Sequence, residues 1–320
     1  MKVKFGCLLT LLCFFLIGCS SGKKEGIAFE GRLKVLSTTA MIGDVVQKIG
    51  GDRIHSSILI LGEIDPHSYE LVKGDDEKIS EASLLFFNGL NLEHGASLRY
   101  KIISHPGSVA LGDYIFKNYP DQILFEQGQP DPHIWMDISL WACTIEPILQ
   151  ALIAKDPEGK SYYEERALEV SKEMEHVHEK IRTGLQDVPE QRRYLVTSHD
   201  AFTYFTRAYL ATDEERSLGT WTRRFAAPEG FAPDGQLGAV DLQKIVDYII
   251  QHNVEVVFPE SNVSPDSLRR IVFACKEKGL SIRCSMYSLY GDSMGAPKSA
   301  AGQYLGMIEY DARVLIKEWE

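Results

Sequence analysis

Tyr163, Ala167, Val170, Met174, Val177, Ile181 and Leu185 recur at steps of four and three residues. That period places them on one face of an uninterrupted amphipathic helix. About 25 residues at 1.5 Å each span roughly 38 Å, the length of a small domain. Such a helix is either a core helix of one lobe or a stiff strut between two. The segments on either side favour the strut.

Upstream, Leu33–Ser37, 56–61 and 83–87 read as strands, with a helix through Met41, Ile42, Val45, Val46 and Ile49. After Pro189 the pattern restarts. Strands are expected at 194–197, 254–258 and 281–287, and helices near 242–251 and 265–278. Strands alternating with helices imply βαβ units and parallel sheets covered on both faces. The fold class is therefore α/β, with one lobe on each side of the long helix. Arg223 to Gly238, rich in Gly and Pro, is expected to be a loop.

The chain has 320 residues, 44% hydrophobic and 25% charged, as in an ordinary globular protein. A net charge of −11 argues against a nucleic-acid partner, which calls for a basic face. Lys2 and Lys4 precede an apolar run from Phe5 to Ile17, too short to span a bilayer and laid out as a secretory signal peptide. The run ends in Leu16-Ile17-Gly18-Cys19, followed by a Ser/Gly/Lys stretch. This resembles a bacterial lipobox, so residues 1–18 are expected to be removed and Cys19 to carry lipid. Residues 19–31 would then tether the folded body to a membrane. Cys143, Cys275 and Cys284 remain in an oxidising compartment; Cys275 and Cys284 could pair, or all three could stay as free thiols.

Two tripeptides echo each other, Asp65-Pro66-His67 and Asp131-Pro132-His133. Proline stiffens each and drives the preceding Asp into extended backbone. His199 follows the strand expected at 194–197, and Asp292 follows the apolar segment 281–290. In open α/β sheets ligands bind beyond the carboxyl ends of the strands. His67 and His133 from one lobe could thus meet His199 and Asp292 from the other. Imidazoles with one carboxylate suit Zn²⁺, Mn²⁺ or Fe²⁺ rather than Ca²⁺ or Mg²⁺. Asp65 and Asp131 could orient the histidines from behind or cap the following helices. Glu260, after a strand, could approach the same cleft. His55, His94, His105 and His252 lack a paired context, and His176 and His178 point different ways on one helix. Ser198-His199-Asp200 is contiguous and forms no catalytic triad.

With these motifs together, the chain resembles the zinc/manganese ABC-transporter solute-binding lipoproteins, the ZnuA- and TroA-like family. The resemblance is carried by Cys19, by Asp65-Pro66-His67-Ser68-Tyr69-Glu70 and by Asn88-Gly89-Leu90-Asn91-Leu92-Glu93. It is carried equally by Asp131 to Asp137, by Thr197-Ser198-His199-Asp200-Ala201-Phe202 and by Gly291-Asp292-Ser293. It implies two pseudo-symmetric lobes, 32–158 and 189–320, joined by a rigid helix over 159–188. One metal would sit in the cleft between them, on His67, His133, His199 and Asp292. The long His-rich loop of many zinc-specific members is absent, since residues 115–130 contain no histidine. The longer stretch 211–237 resembles chlamydial-type members.

The expected function is capture of a Zn, Mn or Fe ion in the periplasm or at the cell surface. A lipid-anchored monomer would deliver it to an ABC permease and its ATPase, with no catalytic step. Two other readings compete. A zinc-dependent hydrolase would need an open coordination position, which Asp292 would close, and His-Glu-x-x-His is missing from the sequence. A surface adhesin would hold a structural metal only.

Overall fold

The computed structural model describes residues 31–232 and 237–320. The expected signal peptide and Cys19 lie outside them. The first half runs β1 (Leu33–Ser37), α1 (Ala40–Gly50), β2 (Ile54–Ile58), α2 (Asp75–Glu81), β3 (Leu84–Phe87), α3 (Ala96–Ser104), β4 (Ser108–Ala110) and α4 (Leu111–Asn118). A hairpin follows, β5 (Phe125–Glu126) and β6 (Gln129–Pro130), then α5 (Ile138–Trp141) and α6 (Ile145–Lys155). The long helix is α7 (Lys160–Gln186). Beyond it come β7 (Leu195–Val196), α8 (Thr203–Phe205), α9 (Asp213–Leu218), β8 (Phe225–Ala226), α10 (Ala239–His252), β9 (Val256–Val257), α11 (Asp266–Glu277), β10 (Arg283–Cys284) and α12 (Tyr304–Trp319).

The first sheet is parallel, in the order β2-β1-β3-β4. β2 begins two residues earlier than the apolar pattern suggests. His55, Ser56 and Ser57 hide its start, while Leu33↔Ile54 pairing brings Ile54 into the core. In the second half, β7 pairs with β8 and β9 with β10, again in parallel. Phe258 N–H donates to Val196 O at 2.8 Å and joins the two ladders. The resulting order, β8-β7-β9-β10, repeats that of the first sheet. The expectation of a plain loop over Arg223–Gly238 is corrected here, because it contains β8. A two-residue strand is specified by its partner in β7, and the Gly/Pro-rich residues that follow it mask it in the sequence.

Every residue of the α7 stripe is buried. The helix packs on α1 and α6 from the first half, and on α12 and a π-helical turn at Thr206–Leu210 from the second. One hydrophobic core runs along it, including Met41 and Ile148 on one side and Met307 and Leu315 on the other. Fully burying one such side chain contributes about 1.5–3 kcal/mol, so the stripe holds α7 rigidly to both halves. Cys143, Cys275 and Cys284 are free thiols.

Candidate metal centre

His67 lies on the segment after β2, in a turn that Asp65 shapes. Asp65 Oδ1 accepts the His67 backbone N–H at 2.8 Å, and its Oδ2 accepts from Ser68 Oγ at 2.7 Å. Asp65 therefore ties the turn and makes no contact with the His67 ring. The matching tripeptide behaves differently. Asp131 Oδ1 accepts the His133 backbone N–H at 3.0 Å and lies 2.7 Å from His133 Nδ1, which leaves Nε2 as the free lone pair. His133 follows the short hairpin rather than a strand of the main sheet.

His199 follows β7, Glu260 follows β9 and Asp292 follows β10. Glu260 Oε1 accepts the backbone N–H groups of Ser198 and His199, each at 2.9 Å, while Oε2 lies 2.7 Å from His199 Nδ1. Glu260 thus faces the His199 ring at ion-pair distance, without the aligned hydrogen bond that joins Asp131 to His133. Gly291 makes room for this, since a Cβ there would fall 2.4 Å from Glu260 Oε2.

His67, His133, His199 and Asp292 are all buried, and one ligand atom from each lies within 4.8 Å of the others. His67 Nε2 is 3.2 Å from His133 Nε2, His133 Nε2 is 3.3 Å from Asp292 Oδ1, and His199 Nε2 is 3.0 Å from Asp292 Oδ2. Ligands about 2.0–2.1 Å from one tetrahedral ion are roughly 3.4 Å apart, so this spacing matches a single transition-metal ion. His199 Nε2 and Asp292 Oδ1, like His199 Nδ1 and Glu260 Oε2 behind them, are buried without an aligned hydrogen bond.

The electrostatics agree. Burial pushes His67 down to about 3, leaving a neutral imidazole. Burial would lower His133 as well, but the charges of Asp131 and Asp292 outweigh it and raise it to about 9. His199 is likewise raised well above its ordinary value, against its burial, by Glu260 and Asp292. Despite complete burial, Asp292 is held well below the usual carboxylate range by His199 and His133. The cluster therefore favours positive charge at its centre, which protons on His133 and His199 or a metal ion can supply.

The structure brings the four expected ligands together with Asp131 and Glu260, and leaves Asp65 outside the ring contacts. It also gives contacts to groups that the sequence names only inside motifs, or not at all. Trp135 Nε1 donates to Gly291 O at 2.8 Å. Glu93, buried after β3, accepts from Thr38 Oγ1 at 2.6 Å and from Asn88 N at 2.8 Å. Asn88 Nδ2 in turn donates to Pro132 O at 3.0 Å, beside His133. Phe231, in the 211–237 stretch, has its ring 5.9 Å from that of His133. The ring of His94, which has no paired context in the sequence, lies 5.8 Å from that of His67.

Residues 35–318 match the family described as zinc-uptake complex component A, periplasmic (ZnuA). The metal-binding protein YtgA of Chlamydia trachomatis is 39% identical over 98% of this chain and 94% of its own length. The manganese-binding lipoprotein MntA of Bacillus subtilis is 29% identical over 95% of each chain. Among solved structures, Fe(III)-bound YtgA from Chlamydia trachomatis superposes with a TM-score of 0.84 at 39% identity, covering 90% of this chain and 98% of that one. The periplasmic zinc-binding protein TroA of Treponema pallidum gives 0.81 at 26% identity, covering 90% and 99%.

Proposed function

This chain belongs to the zinc-uptake component A family, and we propose that it is the solute-binding component of a metal-importing ABC transporter. It captures one transition-metal ion outside the cytoplasmic membrane on His67, His133, His199 and Asp292, then passes the ion to a permease driven by its ATPase. The observation that carries this reading is the convergence of four buried ligand atoms from separate loops at the spacing of one ion. Lipid on Cys19 would hold the protein, a monomer, at the membrane facing the periplasm or cell exterior. Residues 32–158 and 189–320 would form the two lobes and 159–188 the linking helix, a division supported by the repeated strand order.

The donor set suits Zn²⁺, Mn²⁺ and Fe²⁺. The relative with the Fe(III)-bound structure extends the candidates to a trivalent ion. Zinc outbinds manganese and ferrous iron at most such sites, so cargo is decided by availability and transport as well as affinity. Asp292 closes the coordination position that a zinc hydrolase would leave to water.

The test is elemental analysis of a soluble form starting at Ser20, beside the double variant His67→Ala/His133→Ala. About one metal per wild-type chain, lost in the variant, is expected. No metal in the wild type after equilibration with zinc, manganese and iron would refute the site.

A further inference from the structure

We propose that His94 is a transfer ligand, the exposed imidazole on which an arriving ion is first held before it passes to His67 and the buried cluster. The inference rests on the metal-capture reading above and adds a step to it. His67, His133, His199 and Asp292 are at most 3% exposed, so a hydrated ion cannot reach them all at once. His94 is exposed, and its ring centroid lies 5.8 Å from that of His67 at an angle of 52°.

Its hydrogen bonding leaves one ring nitrogen for the role. His94 Nδ1 lies 3.2 Å from Asn91 O. A carbonyl only accepts, so Nδ1 carries the proton and Nε2 keeps a lone pair available to a metal. The backbone holds this ring against the His67 loop. Gly95 approaches so closely that a Cβ there would lie 2.1 Å from Tyr69 O. Ala96 N donates to Glu70 Oε1 at 2.9 Å and Ser97 N to Glu70 Oε2 at 3.2 Å. The loops bearing His67 and His94 are thus tied to each other by backbone contact and by Glu70.

The segment leading to His94 is also strained. Gly89, Leu90 and Asn91 have φ of 76°, 51° and 64°, a left-handed run in which two residues are not glycine. Such strain persists only where the surroundings over-determine it, and it gathers at functional sites. Here Glu93 accepts the Asn88 and Gly89 N–H groups at 2.8 and 3.1 Å, and Asp113 accepts that of Leu90 at 2.9 Å. The same scaffold places Asn88 Nδ2 against Pro132 O, beside His133, so this strained segment serves the His133 loop as well as leading to His94.

A transient ligand lowers the same barrier in both directions, so its loss slows loading and release equally and leaves affinity unchanged. His94→Ala, His94→Glu and wild type would each be loaded with Zn²⁺ from a weak chelator and stripped with a strong one. Tryptophan fluorescence can follow both, because Trp135 lies 5.3 Å from His133, centroid to centroid. In His94→Ala, both rates are expected to fall roughly tenfold at constant stoichiometry and affinity, with substantial recovery in His94→Glu, which restores a ligand. Unchanged rates in His94→Ala would overturn the proposal. So would a drop in affinity at unaltered loading rate, which would make His94 a ligand of the bound state. Failure of the wild type to bind Zn²⁺ would instead strike at the buried site itself.

Discussion

The indole N–H of Trp135 donates to the carbonyl oxygen of Gly291 at 2.8 Å, joining positions 156 residues apart. Trp135 sits two residues past His133 and Gly291 directly precedes Asp292, so one hydrogen bond links two ligand-bearing loops from opposite halves of the chain. Tyr304 OH reinforces it by donating to Trp135 O at 2.7 Å.

Replacing Trp135 with Phe keeps an aromatic ring and removes this donor. The buried Gly291 carbonyl then loses its partner, at a cost of about 1–3 kcal/mol in unfolding free energy. His133 and Asp292 also become less firmly placed relative to each other, and metal affinity should fall roughly tenfold. Denaturant unfolding and chelator competition check the two parts separately.

The two Asp-Pro-His tripeptides should respond unequally to the same substitution. Asp131→Asn removes the charge behind His133 Nδ1 and should weaken metal binding by roughly 10–100-fold. Asp65→Asn keeps an oxygen that can accept the His67 N–H, and should change affinity by less than about threefold. Equal losses in a chelator titration would mean that the ring contact of Asp131 is unimportant.

Metal binding should release protons at neutral pH. His133 titrates at about 9 and His199 well above its ordinary value, so both hold protons at pH 7 that a bound cation must displace. Affinity therefore rises with pH through the neutral range. His67, at about 3, is already neutral there and adds no dependence. Calorimetry in buffers of different ionisation enthalpy should report release of about one to two protons per ion at pH 7. No release would contradict the charge state derived for the cluster.

The 211–237 stretch should make part of the fold acid-sensitive. Glu215 is held down to about 2 against its burial, chiefly by Arg224, with help from the Thr212 N–H at 2.9 Å and from Arg223. Its folded value lies below the unfolded value of 4.5, so this stabilisation is complete above about 4.5 and is lost as pH falls towards 2. Arg224→Met leaves Glu215 buried without its main partner and should cost about 3–5 kcal/mol at pH 7. The variant's stability should also vary less with pH between 5 and 2 than that of the wild type, as followed by circular dichroism in urea.

What could be read in advance was local. The stripe from Tyr163 to Leu185 was legible because helical periodicity is written in neighbouring residues, and every position in it is buried. The four candidate donors that the structure brings together were legible because a stiff Asp-Pro-His turn and a His or Asp after a strand carry their chemistry in a few residues. β8 was not, because two residues become a strand only through a partner elsewhere in the chain. His94 looked unremarkable because its approach to His67 depends on Gly95 and Glu70 locking two loops together.

Sequence by itself determined the α/β class, the long helix and which four side chains were candidate metal donors, since periodicity and side-chain chemistry are properties of short segments. Tertiary structure decided how those donors are supported. Asp65 and Asp131 stand in identical tripeptides, yet one caps a turn and the other orients an imidazole. Glu260 reaches His199 because β9 lies beside β7 in the second half, and Trp135 reaches Gly291 only because the two halves close on each other. A buried charge or carbonyl must find its partner wherever packing leaves one, and that choice is made by distant segments meeting in space.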